Sequence, residues 1–312
     1  RPAVAKAISL YEVGEEVSIQ CRGVRPDSTL FWMSVRTFII RDETGTVTRQ
    51  IGIANDITSQ KEKELVLQQS LQQEQELNQL KSQFVATASH EFRTPLATIQ
   101  SSVDLIKLYL DLPVADAKAS IEKHLSVIEK EIEQFSVLLT DILTIGRIES
   151  KKVSFSPRSV DAVLLCEEII ATHFSRRNDN RAVDFSVEGV PHRVYMDDKL
   201  ITHVIVNVLS NAFKFSKSNP RLRIVFDEQR LVFEVVDRGI GIPEKELSAL
   251  FQAFFRASNT SGIPGTGLGL VIARQFIELH GGHFDIQSQE KLGTICTISL
   301  PINMTEQTLV SP

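Results

Sequence analysis

Phe92, Leu96, Ile99, Val103, Ile106 and Leu110 are separated by 4, 3, 4, 3 and 4 positions. A second run, Ile121, Leu125, Ile128, Ile132, Phe135, Leu139 and Ile142, repeats the rhythm. Alternating threes and fours average 3.5 residues, the period of a helix that supercoils around another. The segment Asp111-Leu-Pro-Val-Ala-Asp116 breaks the helix between the runs, so the two fold back as an antiparallel hairpin. One hairpin cannot bury both stripes alone, and two copies are expected to pair into a four-helix bundle, making the protein a homodimer.

The first helix is expected to start far upstream. Residues 59 to 110 contain one Pro and no Gly, and Ser59 with Glu62 has capping-box spacing. Such a helix runs on the order of 75 Å, too long for a compact core. Leu67 and Leu71 lie in a different register from Leu77, Leu80 and Phe84, a shift that locally alters supercoiling.

Different patterns flank the helices. Val17 to Cys21, Thr29 to Ile40 and Val47 to Ala54 are rich in β-branched and aromatic residues, with a hairpin turn at Arg41-Asp-Glu-Thr-Gly45. This predicts the tail of an antiparallel sheet. After Ser150, strand-like stretches (183–187, 221–226, 231–236, 283–288, 294–300) alternate with helical ones (161–174, 198–215, 268–280). They predict an α/β domain with helices on a mainly antiparallel sheet.

Composition narrows the class. A chain of 312 residues with 42% hydrophobic content has apolar material for real cores, which excludes disorder and disulfide-dependent miniproteins. The net charge of −5 is spread along the chain, and no basic block argues for nucleic acid. Cys21, Cys166 and Cys296 are far apart and form no C-x-x-C pair, so a zinc or disulfide framework is not expected and a reducing compartment fits. No run of 18 apolar residues spans a bilayer. With neither an initiator Met nor a signal peptide, a fragment is expected, and an anchor upstream of Arg1 stays open.

Four stretches carry chemistry. In Ser89-His-Glu-Phe-Arg-Thr-Pro-Leu96, His90 points away from the seam of Ala88, Phe92 and Leu96, as an imidazole nucleophile must. Glu91 beside it can take a proton or orient the ring, and the Thr94 hydroxyl lies one turn on. Pro95 places a kink beside them. His203, Asn207, Asn211 and Lys214 share one helical face, with Ile201, Ile205, Leu209, Ala212 and Phe213 on the core face. Carboxamide oxygens suit Mg²⁺, which shares phosphate oxygens, and Lys214 neutralises a phosphate. Val235-Val-Asp-Arg-Gly-Ile-Gly-Ile-Pro243 puts Asp237 at the exit of an apolar strand, able to accept from an exocyclic amine such as that of adenine. Gly239 and Gly241 would let a flat ligand approach the backbone. Gly262-Ile-Pro-Gly-Thr-Gly-Leu-Gly-Leu270 runs into a helix and offers amides and the dipole's positive end to phosphate. It has neither Rossmann nor P-loop spacing.

In order and spacing these stretches resemble the H, N, G1 and G2 boxes of bacterial sensor histidine kinases, with Phe251-x-x-Phe254-Phe-Arg256 resembling the F box. Residues 29 to 58, ending Gly52-Ile-Ala-Asn-Asp-Ile-Thr58, resemble the C-terminal half of a PAS sensor domain. The resemblance implies a multidomain chain: part of a PAS β-sheet (1–58), a coiled-coil signalling helix (59–82), a dimerisation and phosphotransfer hairpin (83–150), a Bergerat-type α/β sandwich (151–302) and a tail (303–312). It implies that His90 takes the γ-phosphoryl of ATP with Glu91 as general base, and that Thr94 supports hydrolysis of the phosphorylated regulator. Asn207 would ligate Mg²⁺. Asn211, Lys214 and Arg256 would meet phosphates, Asp237 with Gly239 and Gly241 would read adenine, and Gly265, Thr266, Gly267, Leu268 and Gly269 would form a lid. Phe215 stands in the nucleotide site where many members have Tyr, and Arg238 replaces a common Asn. The partners implied are a second copy and the receiver domain of a separate response regulator. The place implied is the cytoplasm, as a free kinase or as the inner portion of an anchored sensor. The long helix is expected to carry a sensory signal as a change of supercoil or bend near Pro95.

Two other classes fit part of the pattern. A Bergerat ATPase of chaperone or mismatch-repair type would hydrolyse ATP without labelling itself. A signalling scaffold would bind nucleotide without transfer.

Overall fold

The computed structural model of the chain describes residue 9 and residues 15–110, 114–177, 179–260 and 262–302. The centre of the expected interhelical turn (111–113), the tail 303–312 and the side chains of Leu77 and Leu80, on which the register shift rests, lie outside the described residues. The chain forms two compact units, residues 1–83 and 84–312.

In the first unit, β1 (Ser18–Val24), β2 (Leu30–Arg41) and β3 (Val47–Asp56) form an antiparallel sheet in that order. The turn between β2 and β3 closes where the sequence places it. The Gly45 N–H donates to the Asp42 carbonyl at 3.0 Å, and Gly45 adopts φ +83°. The Asp42 carboxylate accepts from the N–H groups of Thr44 (2.9 Å) and Thr46 (3.0 Å). Helix α1 runs from Thr58 to Leu110. It starts one residue before the expected Ser59, because the Asp56 carboxylate takes both the N–H (2.9 Å) and the hydroxyl (2.6 Å) of Thr58. That Asx turn sets the entry in place of the Ser59–Glu62 box.

The second unit holds the hairpin. Helix α2 (Val114–Glu149) lies antiparallel to α1: Phe92 meets Phe135 with ring centres 5.3 Å apart, and Tyr109 stacks on His124 at 5.8 Å. Pro95 sits inside α1, which stays helical through it. Within this one chain the seam is incompletely covered; Leu96, Leu110, Leu125, Ile132 and Leu139 are exposed.

Beyond the hairpin, β5 (Asp184–Glu188), β7 (Arg221–Phe226), β8 (Arg230–Asp237), β10 (Gly293–Pro301) and β9 (His283–Gln289) form a five-stranded sheet in that order. Only β5 and β7 pair parallel. Alternate residues of β7 and β8 (Leu222, Ile224, Phe226; Leu231, Phe233, Val235) are buried, as period-two strands with one packed face require. They share one core with the inner faces of α3 (Ala162–Ile169), α4 (Asp198–Phe215) and α5 (Gly269–Leu279), giving the expected α/β sandwich. The α3 helix continues through wider π-type turns to Phe174. Two strands went unread in the sequence, β4 (Arg158–Asp161) and β6 (Arg193–Met196), which pair antiparallel. Four residues are too few for an alternating pattern to stand out.

Asp197 locks α4 in place. One carboxylate oxygen accepts from Lys199 and Leu200 N–H (both 3.1 Å), the other from Ser156 N–H at 2.8 Å. The Asp197 N–H donates to Nε2 of the fully buried His280 at 3.0 Å, while His280 Nδ1 donates to the Phe276 carbonyl at 2.6 Å. The bond accepted at Nε2 requires a neutral ring, and burial holds the His280 pKa below its ordinary value, opposed by the Phe276 carbonyl and the Asp197 charge. With the folded value lower than the unfolded one of about 6.5, this stabilisation is complete above that pH and is lost as pH falls below it. Denaturant unfolding should therefore show a loss of stability between pH 7.5 and 5.5 that is smaller in His280→Gln. An equal loss in both proteins would refute this linkage.

Candidate functional site

Helix α1 delivers His90, Glu91 and Thr94 on one side. The His90 side chain is 74% exposed, and its Nδ1 lies 3.8 Å from Glu91 Oε1, beyond hydrogen-bond range but as its nearest charged neighbour. The Thr94 hydroxyl donates back to the His90 carbonyl at 3.3 Å.

Helix α4 delivers the polar ladder. Asn211 Nδ2 donates to Asn207 Oδ1 at 3.2 Å, so that carboxamide oxygen already lies in a defined place. Burial, then the nearby Arg256 charge, pushes the Lys214 amine down to about 8. The amine also lies 4.8 Å from the Phe215 ring centre. The loop before α5 folds over these groups: a Cβ at Gly265 would come within 2.5 Å of Lys214 Nζ, and one at Gly269 within 2.0 Å of Asn207 Nδ2. A side chain at either position would have to push the Lys214 amine or the Asn207 carboxamide aside.

Strand β8 ends on Asp237, half-buried, with Oδ1 accepting the Gly239 N–H at 2.7 Å. Burial raises its pKa above the usual carboxylate value, opposed by the Gly239 and Thr294 amides. The two glycines that follow have a reason the sequence did not reveal. A Cβ on Gly239 would sit 2.4 Å from the Phe215 carbonyl oxygen, and one on Gly241 (φ +62°) 2.0 Å from that of Gln289. The chain's own backbone, before any ligand, forbids side chains there.

These parts line one cavity of about 1260 Å³. His90, Glu91 and Thr94 share it with Asn207, Asn211, Lys214, Phe215, Asp237, Gly241, Arg256, Gly265, Thr266, Gly267 and Gly269. Gly239 and Leu268 stand apart from the lining: the first packs beneath the Phe215 carbonyl, and the second is fully buried at the head of α5. Arg256, expected at phosphate, donates to the carbonyls of Thr260 and Ile263 and so braces the loop.

Asp141 is a residue that the sequence reading missed. On α2 and 9% exposed, it accepts the Thr266 hydroxyl at 2.9 Å, while Thr266 Oγ1 accepts the Leu268 N–H at 3.2 Å. Burial raises its pKa, and the adjacent His203, its own pKa lowered by burial, keeps a buried Nδ1 that has no partner among the described residues. Phe84 of α1 meets Phe254 with ring centres 5.1 Å apart, so both helices of the hairpin hold the loop region. A hydrogen bond to a carboxylate contributes about 1.5–3 kcal/mol. Asp141→Ala should therefore speed amide exchange across residues 265–269 by roughly tenfold or more. Unchanged protection would show that the tie holds nothing.

Residues 80–151 match the family described as "His Kinase A (phospho-acceptor) domain", and residues 196–304 match "Histidine kinase-, DNA gyrase B-, and HSP90-like ATPase". Sensor histidine kinase WalK of Bacillus subtilis is 31% identical over 290 residues, covering 89% of this chain and 44% of the relative. Circadian input-output histidine kinase CikA of Synechococcus elongatus is 31% identical over 245 residues, covering 76% of this chain and 32% of the relative. The chain thus spans less than half the length of these relatives. Among solved structures, the fold is similar to Acinetobacter baumannii histidine kinase AdeS (TM-score 0.55, 23% identity, 69% of this chain and 98% of that one). It is also similar to histidine kinase ThkA, solved with response regulator protein TrrA (TM-score 0.56, 21% identity, 96% and 83%).

Proposed function

Because the chain belongs to the bacterial sensor histidine kinases, we propose that its cavity transfers the γ-phosphoryl group of ATP to Nε2 of His90. The observation that carries this is the meeting of an exposed His–Glu pair with the Asn207–Lys214 ladder and Asp237 in one cavity. In the step, the Nε2 lone pair forms a bond to the γ-phosphorus as the bond to the bridging β,γ-oxygen breaks, and ADP leaves with that electron pair. The ring's Nδ1 proton passes to Glu91, whose oxygen must close in from 3.8 Å. Lys214 and Arg256 face the negative charge of the chain of phosphates, and Asp237 accepts from the adenine amine. Phosphoryl transfer requires mainly such positioning and neutralisation.

The donor set fits Mg²⁺ shared with ATP. Asn207 presents a carboxamide oxygen, and the described residues contain no cluster of three or more His, Cys, Asp or Glu that would hold a metal by themselves. The ion would supply charge neutralisation at the phosphate oxygens.

We read the first sheet as the end of a PAS sensor domain and the hairpin as one half of a dimeric bundle. An aspartate on the receiver domain of a separate response regulator would accept the phosphoryl group, and Thr94 would assist its later hydrolysis. The division 1–58, 59–82, 83–150 and 151–302 is part of the same reading. No helix among the described residues is long and apolar enough to cross a membrane; we read the chain as acting in the cytoplasm, free or behind an anchor.

Incubation with γ-labelled ATP and Mg²⁺ tests the proposal. An acid-labile phosphoprotein, whose label passes to a receiver domain, is the expected result. Steady ATP hydrolysis with no labelled protein would instead mark a Bergerat ATPase.

A further inference from the structure

We propose that His90 is phosphorylated by the nucleotide bound to its own chain and not by that of a second copy. The inference rests on the kinase reading above and adds which copy supplies the phosphoryl group.

The two sides of α1 face different surroundings. His90, Glu91, Thr94, Pro95 and Thr98 line the cavity that holds Asn207, Lys214 and Asp237 of the same chain. A separate shallow groove is lined by Phe92, Arg93, Leu96, Ile99 and Gln100. At about 100° per residue, the two sets fall on opposite sides of the helix. The second side carries the exposed Leu96 of the seam, the surface left for another copy to cover. Pairing through that seam leaves His90 turned towards its own nucleotide residues and away from the partner's helix.

The same chain also holds the catalytic half in place at both helices. Asp141 of α2 binds Thr266 in the glycine loop, and Phe84 of α1 packs on Phe254. Cavity, helix face and these two contacts within the chain agree.

The test dilutes wild-type chains into a large excess of tagged chain carrying both His90→Gln and Asn207→Asp. Mixed dimers are recovered through the tag. Transfer within a chain predicts that each wild-type chain in them labels at the same rate as in the wild-type homodimer. A fall to background overturns the proposal. Mixing the two single variants reverses the readout: no label is expected, and restored label on the Asn207→Asp chain overturns the proposal. If no mixed dimers form on mixing, the two chains are co-expressed with different tags so that mixed dimers assemble during synthesis, and the same two outcomes decide. A wild-type protein that binds nucleotide yet takes no label refutes the kinase reading itself, and the proposal with it.

Discussion

His90→Gln abolishes labelling from ATP while leaving nucleotide affinity within a few-fold of the wild type: that is the largest effect the structure leads us to expect. The glutamine amide has no lone pair able to attack phosphorus, whereas a neutral imidazole has one on a ring nitrogen. The position is 74% exposed on a helix surface, so the substitution should cost little stability. The chain has seven histidines, and they differ sharply in access. His280 is fully buried and committed to two hydrogen bonds. His203 lines the same cavity but carries a buried Nδ1 and a lowered pKa. Mass spectrometry under alkaline conditions should locate the phosphoryl group at residue 90. Equal labelling of wild type and variant would end the assignment.

Asp237→Asn should weaken nucleotide binding by roughly 10- to 100-fold, the effect of about 1.5–3 kcal/mol lost from one hydrogen bond to a carboxylate. Asp237 accepts the Gly239 N–H through Oδ1, a bond an asparagine oxygen can still make, so the loop should stay folded. The other carboxylate oxygen becomes an N–H₂ donor and would meet the adenine amine donor to donor. Because Asp237 is remote in role from the attack on phosphorus, the loss should appear in KM, with the saturated labelling rate changed far less. Titration with a fluorescent ATP analogue, beside labelling at saturating ATP, separates the two. A variant that binds normally but labels slowly would assign Asp237 a different task.

How much of this could be read beforehand follows physical range. The seam, the long helix and the three core helices are local periodicities, and they emerge within a residue or two of their expected bounds. The residues of the H, N, G1 and G2 stretches converge because each stretch sits at the end or on one face of a regular element. Asp141 escaped because it lies between Leu139 and Ile142 and reads as a solvated position, while its partner Thr266 is 125 residues away. Gly239 and Gly241 were read as openings for a ligand, because the Phe215 and Gln289 carbonyls that crowd them are invisible in a linear pattern. Arg256 was placed at phosphate through the F-box resemblance, and its Nη2 also donates to two loop carbonyls, which no linear pattern shows.

The depressed basicity of Lys214 has a consequence for energetics. With its pKa pushed down to about 8, a substantial share of empty sites carries a neutral lysine in mildly alkaline buffer. A polyanion settling beside it restores the proton, so complex formation draws hydrogen ions from solution. By reciprocity, affinity must decline as the medium is made more alkaline through that range. The heat released on association will then vary with the ionisation enthalpy of the buffer, even though the contacts made are the same.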